Sequence, residues 1–173
     1  MATSPLVKKL IQIPICRGLK EPEAGEIFEI AEETAAKKGD VLFHEGETGD
    51  ALYVVLEGHV DVTKKTANGT AQSLAKIGDG SVIGEMSLIG GNTARSATAT
   101  AASDVKLLKI PATRFSKLLR EENIAALKIV HNLAQVMSRR LLLMDEKLVD
   151  VLDKGKKKEE LADFQRILNN WSF

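Results

Sequence analysis

The apolar positions of this chain change their period twice. Between residues 5 and 35 they recur at helical spacing, with Leu10, Ile11, Ile27, Phe28 and Ile30 as the expected core contacts. Pro14, Gly18 and Pro22 break that stretch into two pieces, which read as a collar for something larger. From Lys38 the pattern shortens into strand-like runs, VLF, ALYVVL, HVDVT, SLAKI, SVIGEM, SATATA and VKLLKI, separated by Gly, Asn and Asp. Asn68-Gly69, between two of these runs, is the strongest hairpin signal in the chain. Short strands at such close spacing predict a mainly β fold, an antiparallel sandwich or jelly-roll barrel over residues 36–110.

After Ile110 the helical period returns. Pro111 opens a short helix through ATRFSKLLREE, and a second is expected from about Ile124 to Lys154, where Gly155 can end it. At ~1.5 Å per residue the second would be about 45 Å long, more than one small barrel needs for its own packing. Val130, Ala134, Met137, Leu141, Met144, Leu148 and Val151 keep an unbroken 4-3 spacing, and Leu133, Val136, Leu143 and Leu152 add a second stripe. Two stripes imply two surfaces, one on the barrel and one on a partner, and predict a homodimer along this helix. A single broad face on the chain's own core is the alternative. Residues 155–173 begin with a charged hinge and then place Leu161, Phe164, Ile167, Leu168 and Trp171 at helical spacing, as in an amphipathic tail helix that folds back or docks on a partner. The expected organisation is therefore residues 1–154 as one domain, with a collar (1–35), a barrel (36–110) and two helices (111–154), followed by the tail (155–173).

Composition narrows the function classes. A chain of 173 residues is near the size of a single domain. Its 24 basic and 24 acidic side chains cancel, so no bulk field draws it to nucleic acid or an anionic membrane, and a partner must be found by a site. Cys16 is the single cysteine, which excludes an internal disulfide and a cysteine-based zinc cluster and fits a reducing compartment. The N-terminal MATSPLVKKLIQIPIC lacks the apolar core of a signal peptide, and no run approaches the ~20 apolar residues of a membrane span. A cytoplasmic protein is expected.

The chemistry concentrates in GEMSLIGGNTARSATATAA, Gly84 to Ala102. Gly84 permits close backbone approach, and the N–H groups of GEMS can converge on an anion. Glu85 supplies an acceptor-only carboxylate suited to a sugar hydroxyl, and Arg95 a planar fork suited to phosphate oxygens. Across a Gly90-Gly91 loop the two can grip a ribose and a phosphate fused together, with Ser96, Ala97 and Ala99 keeping the wall close. Taken alone, the same two residues read more readily as an exposed Glu and Arg pairing across a turn.

The stretches GDVLFHEGETGDALYVVLEGHVDV and IGDGSVIGEMSLIGGNTARSATATAASDVKLLKI resemble the cyclic-nucleotide-binding domain shared by bacterial catabolite activator proteins, protein kinase A regulatory subunits and cyclic-nucleotide-gated channels. The resemblance covers about residues 5 to 153, and its phosphate-binding cassette, G-E-x-x-L followed by R-S-A, is specific. It implies an eight-stranded antiparallel jelly-roll barrel with N-terminal helices and two C-terminal helices, and a cyclic mononucleotide as ligand, without catalytic turnover. Glu85 would bind the ribose 2′-hydroxyl and Arg95 the cyclic phosphate, with the N–H groups of Gly84, Ser87 and Ser96 completing the cradle. Val62, Leu74, Ile77, Ile83 and Met86 match apolar positions that wall the pocket, and barrel core is an equal reading for them. Arg140, Met144 and Asp145 fall on the long helix where activators hold base and ribose; a solvated helix face is the alternative for each. Ser96 directly after Arg95 favours cyclic AMP over cyclic GMP.

About 20 residues follow the long helix, too few for a winged helix-turn-helix, so direct DNA binding is not expected and output would pass to an unidentified protein effector. A cupin-type metal centre is the rival from another class; His44 lies beside Glu45, but His59 and His131 have no ligand partners at motif spacing, so no metal or cofactor is expected. A dimerisation module with a degenerate pocket is the third reading.

Overall fold

The computed structural model describes residues 5–90 and 93–155. They belong to two units, residues 1–133 and residues 134–173.

The first unit opens with helix α1 (Pro5–Ile11), a 3-10 turn at Pro14–Cys16 and helix α2 (Glu21–Ile30). α2 starts where the Glu23 carboxylate accepts from the Lys20 N–H at 2.7 Å, with Pro22 in the first turn. Leu10 and Ile27 are buried as expected, whereas Ile11, Phe28 and Ile30 are only half-buried. Cys16 is free and buried, and burial pushes its thiol up to about 12.

The helical pattern expected to reach residue 35 ends at Ile30, because strand β1 (Glu32–Ala36) follows directly. Its sequence EETAA has no strand propensity to speak of. Pairing decides it: Glu32 lies opposite Lys109 and Thr34 opposite Leu107 on the last strand, β8 (Val105–Pro111). The remaining strands are β2 (Val41–Phe43), β3 (Ala51–Glu57), β4 (Val60–Lys65), β5 (Ala71–Ile77), β6 (Val82–Ile83) and β7 (Thr98–Ala101). SVIGEM, expected as one strand, is cut short after Ile83 by Gly84 at φ +73°, and helix α3 (Met86–Ile89) follows.

All named pairings are antiparallel, and they form two four-stranded sheets, β1-β8-β3-β6 and β2-β7-β4-β5, rather than one continuous ring. Ala51, Tyr53 and Val55 of β3, Val105 and Leu107 of β8, Val60 of β4 and Ala99 and Ala101 of β7 share one core, which therefore lies between the sheets. Leu52, Val54 and Leu56 alternate with the β3 residues of that core and are buried too. Helices α2 and α4 (Ala112–Arg120) contact β8 beside them. A strand covered on both faces loses polar alternation, which is why ALYVVL reads as an unbroken apolar run. The Asn68-Gly69 hairpin joins β4 to β5 through a loop closed by Thr66 N–H to Thr70 O at 2.9 Å.

Helix α5 (Ile124–Gly155) begins with Ala125, Ala126, Ile129 and Leu133 buried. Lys128 donates to Glu23 at 2.7 Å and to the Gly18 carbonyl at 3.1 Å, and buried Asn132 donates to the carbonyls of Ile15 and Arg17 at 2.9 and 2.8 Å. The collar and the first turns of α5 are thereby one block. In the second unit Leu141, Leu142, Leu143, Met144 and Val149 are exposed. Of the 4-3 stripe, Met137 and Leu148 are half-buried and Ala134, Leu141 and Met144 exposed. The expected tail helix lies outside the described residues.

Candidate functional site

The site is built by two chain segments that run side by side. Residues 46–49 pair with residues 93–95 through Gly46 N–H to Arg95 O (2.9 Å), Arg95 N–H to Glu47 O (2.7 Å), Gly49 N–H to Thr93 O (3.0 Å) and a Thr48–Ala94 bridge. This pairing swings the Arg95 side chain inward, where it is 5% exposed.

The Arg95 guanidinium is held on several sides. Nη1 donates to the Ala51 carbonyl at 2.8 Å and to Ser87 Oγ at 3.0 Å, and Nη2 donates to Asp50 Oδ1 at 3.1 Å. Its carbon stands 4.1 Å from the centroid of the Phe43 ring and 5.8 Å from that of Tyr53, so the plane packs on aromatic faces. Nε is buried without a hydrogen-bond partner among the described residues. An orphaned N–H on a buried cation is costly, and an anion is the natural group to satisfy it.

Gly84 shows why the cassette needs glycine. Its φ of +73° is left-handed, and a Cβ there would collide with Arg95 Nη1 and stand 2.9 Å from the Ala51 carbonyl. Gly49 is equally confined, since a Cβ would run into Ser87 Oγ. Glu85 is half-buried at the start of α3, and Ser87 is buried, its N–H turned to the Gly84 carbonyl at 3.1 Å and its hydroxyl accepting from Arg95. Ser96 is exposed, and its carbonyl accepts from Lys64 Nζ at 2.7 Å. Gly91, the second half of the expected Gly90-Gly91 turn, lies outside the described residues.

The five apolar wall candidates separate. Ile83 is in the core, and Val62 and Ile77 pack against it half-buried. Met86 and Leu74 are 42% and 58% exposed, so the barrel-core reading fails for these two. Leu74 lies on β5, an edge strand exposed along residues 71–76, and it is also the unpaired extra residue of a bulge, since Val62 pairs with Ala75 and Thr63 with Ser73. Arg140, Met144 and Asp145 belong to the second unit, in which Met144 and Asp145 are exposed and Arg140 half-buried.

Asp50, in the segment GETGDALY, is a functional residue that the sequence pattern does not single out. It bridges Arg95 to Lys109, whose Nζ donates to Oδ2 at 2.8 Å, while its own carbonyl accepts the Ala112 N–H at 2.8 Å where α4 begins. Burial pulls the Asp50 carboxyl upward, but the hydrogen bond and charge of Lys109, with Arg95 behind, outweigh it and leave the group below its ordinary range. The one sequence signal was a lone carboxylate directly before a wholly apolar strand. A cavity of about 310 Å³ between Lys37, Glu57, Asp104 and Lys106, and one of about 350 Å³ between Arg17, Ile124, Leu127 and His131, lie elsewhere. Their walls hold no orphaned buried cation, and we place the site at Arg95. No group of three or more metal-ligating side chains occurs among the described residues.

A two-sheet β domain that buries an arginine under a glycine-led turn, with a carboxylate beside that turn, has the parts of an anion-binding domain. Residues 33–122 match the cyclic nucleotide-binding domain family, and the chain belongs to it. It is 32% identical to the cyclic AMP receptor protein of Thermus thermophilus over 139 residues, 78% of this chain and 60% of that protein. It is 35% identical to lysophospholipase NTE1 of Chaetomium globosum over 108 residues, 62% of this chain but 7% of that enzyme. The crystal structure of a cyclic nucleotide-binding domain from Methylobacillus flagellatus superposes with a TM-score of 0.73 at 26% identity, covering 83% of this chain and 80% of the other. No described helix is long and apolar enough to cross a membrane.

Proposed function

We propose that this chain binds a cyclic mononucleotide, with cyclic AMP preferred over cyclic GMP, and acts as a sensor without turning the ligand over. The observation that carries the reading is the buried Arg95 with its unpartnered Nε beside Gly84, Glu85 and Ser87. In this reading the phosphate takes the Arg95 edge and the Ser96 N–H, with Gly84 and Ser87 completing the cradle, and Glu85 accepts from the ribose hydroxyl. Val62, Ile77 and Ile83 back the ligand, and exposed Leu74 and Met86 are covered by it. The printed name of the Thermus thermophilus relative supports cyclic AMP. A sensing role is in keeping with the printed name of the Thermus thermophilus relative, a receptor protein.

Output, in the same proposal, passes through the Arg95–Asp50–Ala112 connection to α4 and on to α5. Residues 1–154, a jelly-roll barrel with its flanking helices, form the sensor, and the exposed stripe through Leu141 and Met144 joins a homodimer or meets a protein effector. The buried free Cys16 suits a reducing compartment, the cytoplasm.

Calorimetry with cyclic AMP, cyclic GMP and linear AMP tests the reading. Cyclic AMP should bind most tightly, and Arg95→Ala should lose about 2 to 5 kcal/mol, roughly thirty- to several-thousand-fold in affinity. A folded Arg95→Ala protein that binds like the parent overturns the site. Tighter binding of cyclic GMP by the parent overturns the preference alone.

A further inference from the structure

Lys64 breaks the pattern of its strand. Along β4, Val60 is buried and Val62 packs on the core, so position 64 continues their inward face toward the end of the strand. Pairing with β7 is regular through Val62–Ala99 and Thr63–Thr98, and the bulge beside it belongs to β5, so nothing flips the alternation. The Lys64 side chain is half exposed, a charge at the rim of an otherwise apolar face.

Its surroundings say which function. Lys64 Nζ donates to the Ser96 carbonyl at 2.7 Å and pairs with Glu45 Oε1 at 3.2 Å. Glu45 is fixed in turn: Oε2 accepts the Lys65 N–H at 3.0 Å, and its own N–H donates to Thr98 Oγ1 at 3.0 Å. The Lys65 N–H and then Lys64 hold the Glu45 carboxyl below its ordinary range. Residues 94–98 are thus gripped on one side by residues 46–48 and on the other by Lys64, directly beyond Arg95. The charge balance gives the grip a purpose. Arg95 and Lys109 share Asp50, Lys64 faces Glu45, and Glu85 adds a third carboxylate, so the three cations only balance the three carboxylates, and without the Lys64 ammonium an entering phosphate meets a net negative surrounding.

We propose that Lys64 is a positioning residue of the phosphate site: it holds the Ser96 peptide in place beside Arg95 and supplies a second positive charge for the anion. The inference rests on the cyclic-nucleotide reading above and deepens it. Two of the three Lys64 N–H groups have the partners named, which leaves donor capacity when a phosphate arrives.

The test is calorimetry with cyclic AMP on the parent, Lys64→Gln, Lys64→Arg and Glu45→Gln, at low and high salt, with thermal melts to verify folding. Lys64→Gln should weaken binding about five- to thirty-fold and flatten its salt dependence, and Lys64→Arg should recover most of the loss. Glu45→Gln releases the ammonium from its counter-charge and should strengthen binding about two- to threefold. Opposite signs for the two neutralised partners are what a merely structural ion pair would not give. Parent-like affinity and salt slope in Lys64→Gln, or equal weakening in both neutral variants, overturns the role of Lys64 while leaving the site standing. If Lys64→Gln does not fold, the signs of Lys64→Arg and Glu45→Gln decide alone. A parent that binds no cyclic nucleotide overturns the site, and the inference with it.

Discussion

The first turns of α5 and the residues beyond Ala134 both carry many apolar side chains, and these meet opposite fates. In the first turns Ala125, Ala126, Ile129 and Leu133 are buried, and Asn123, Lys128 and Asn132 bond to Glu26, Glu23, Gly18, Ile15 and Arg17 of the collar. In the second unit three consecutive leucines, Leu141 to Leu143, stand 44%, 61% and 57% exposed. Helical periodicity measures how apolar a face is. It carries no information on what covers that face, and the polar residues beside the stripe are the better guide. Where Lys and Asn find carbonyls and a carboxylate from a distant segment, the face is anchored.

Ile129→Ala should therefore destabilise the first unit by about 2–5 kcal/mol in urea unfolding, the cost of a cavity at a fully buried aliphatic position. Leu142→Ala should stay within about 0.5 kcal/mol. A loss at Leu142 as large as at Ile129 would break the comparison, because it would mean that the leucine run is covered in solution.

A smaller effect is expected at Asn132. Replacement by Leu keeps the volume and leaves the Ile15 and Arg17 carbonyls without their donor, a cost of about 1–3 kcal/mol. Unfolding midpoints of Asn132→Leu and Asn132→Asp measured together sharpen the point, since the carboxylate offers those carbonyls no donor either. Parent-like stability in both would show that the anchoring is apolar alone.

The smallest effect is in the pH dependence of the same block. The hydrogen bond from Lys128, and after it the Lys20 N–H, hold the Glu23 carboxyl below its ordinary range. A carboxyl whose folded pKa lies below its unfolded value of about 4.3 stabilises fully above that value, and the contribution disappears as pH falls through the folded pKa. The melting-temperature difference between parent and Glu23→Gln should be steady from pH 6 to 8 and shrink below about pH 4. A difference that is unchanged or grows in acid would remove Glu23 as an anchor.

Much of the candidate site was legible before any coordinates. Gly84, Glu85 and Arg95 announce themselves because close approach, an acceptor and a planar fork each demand a particular residue type within a dozen positions of chain. Asp50 and Lys64 did not, because their roles exist only through partners far along the sequence: Asp50 reaches Arg95 and Lys109, and Lys64 reaches Ser96 and Glu45. A lone Asp before a strand and a Lys at a strand's end are ordinary in any sequence.

The fold divides in the same way. Local pattern by itself determined the helix opened by Pro111, the Asn68-Gly69 hairpin and the doubly buried β3, since capping, turn chemistry and apolar runs act over a few residues. Tertiary structure alone decided that Glu32–Ala36 is a strand and that Leu74 stands outside the core. The first follows from hydrogen bonds offered by β8 and the second from the place of β5 at the edge of its sheet, paired with β4 alone. Both are properties of a pairing, and a pairing has no address in a single segment.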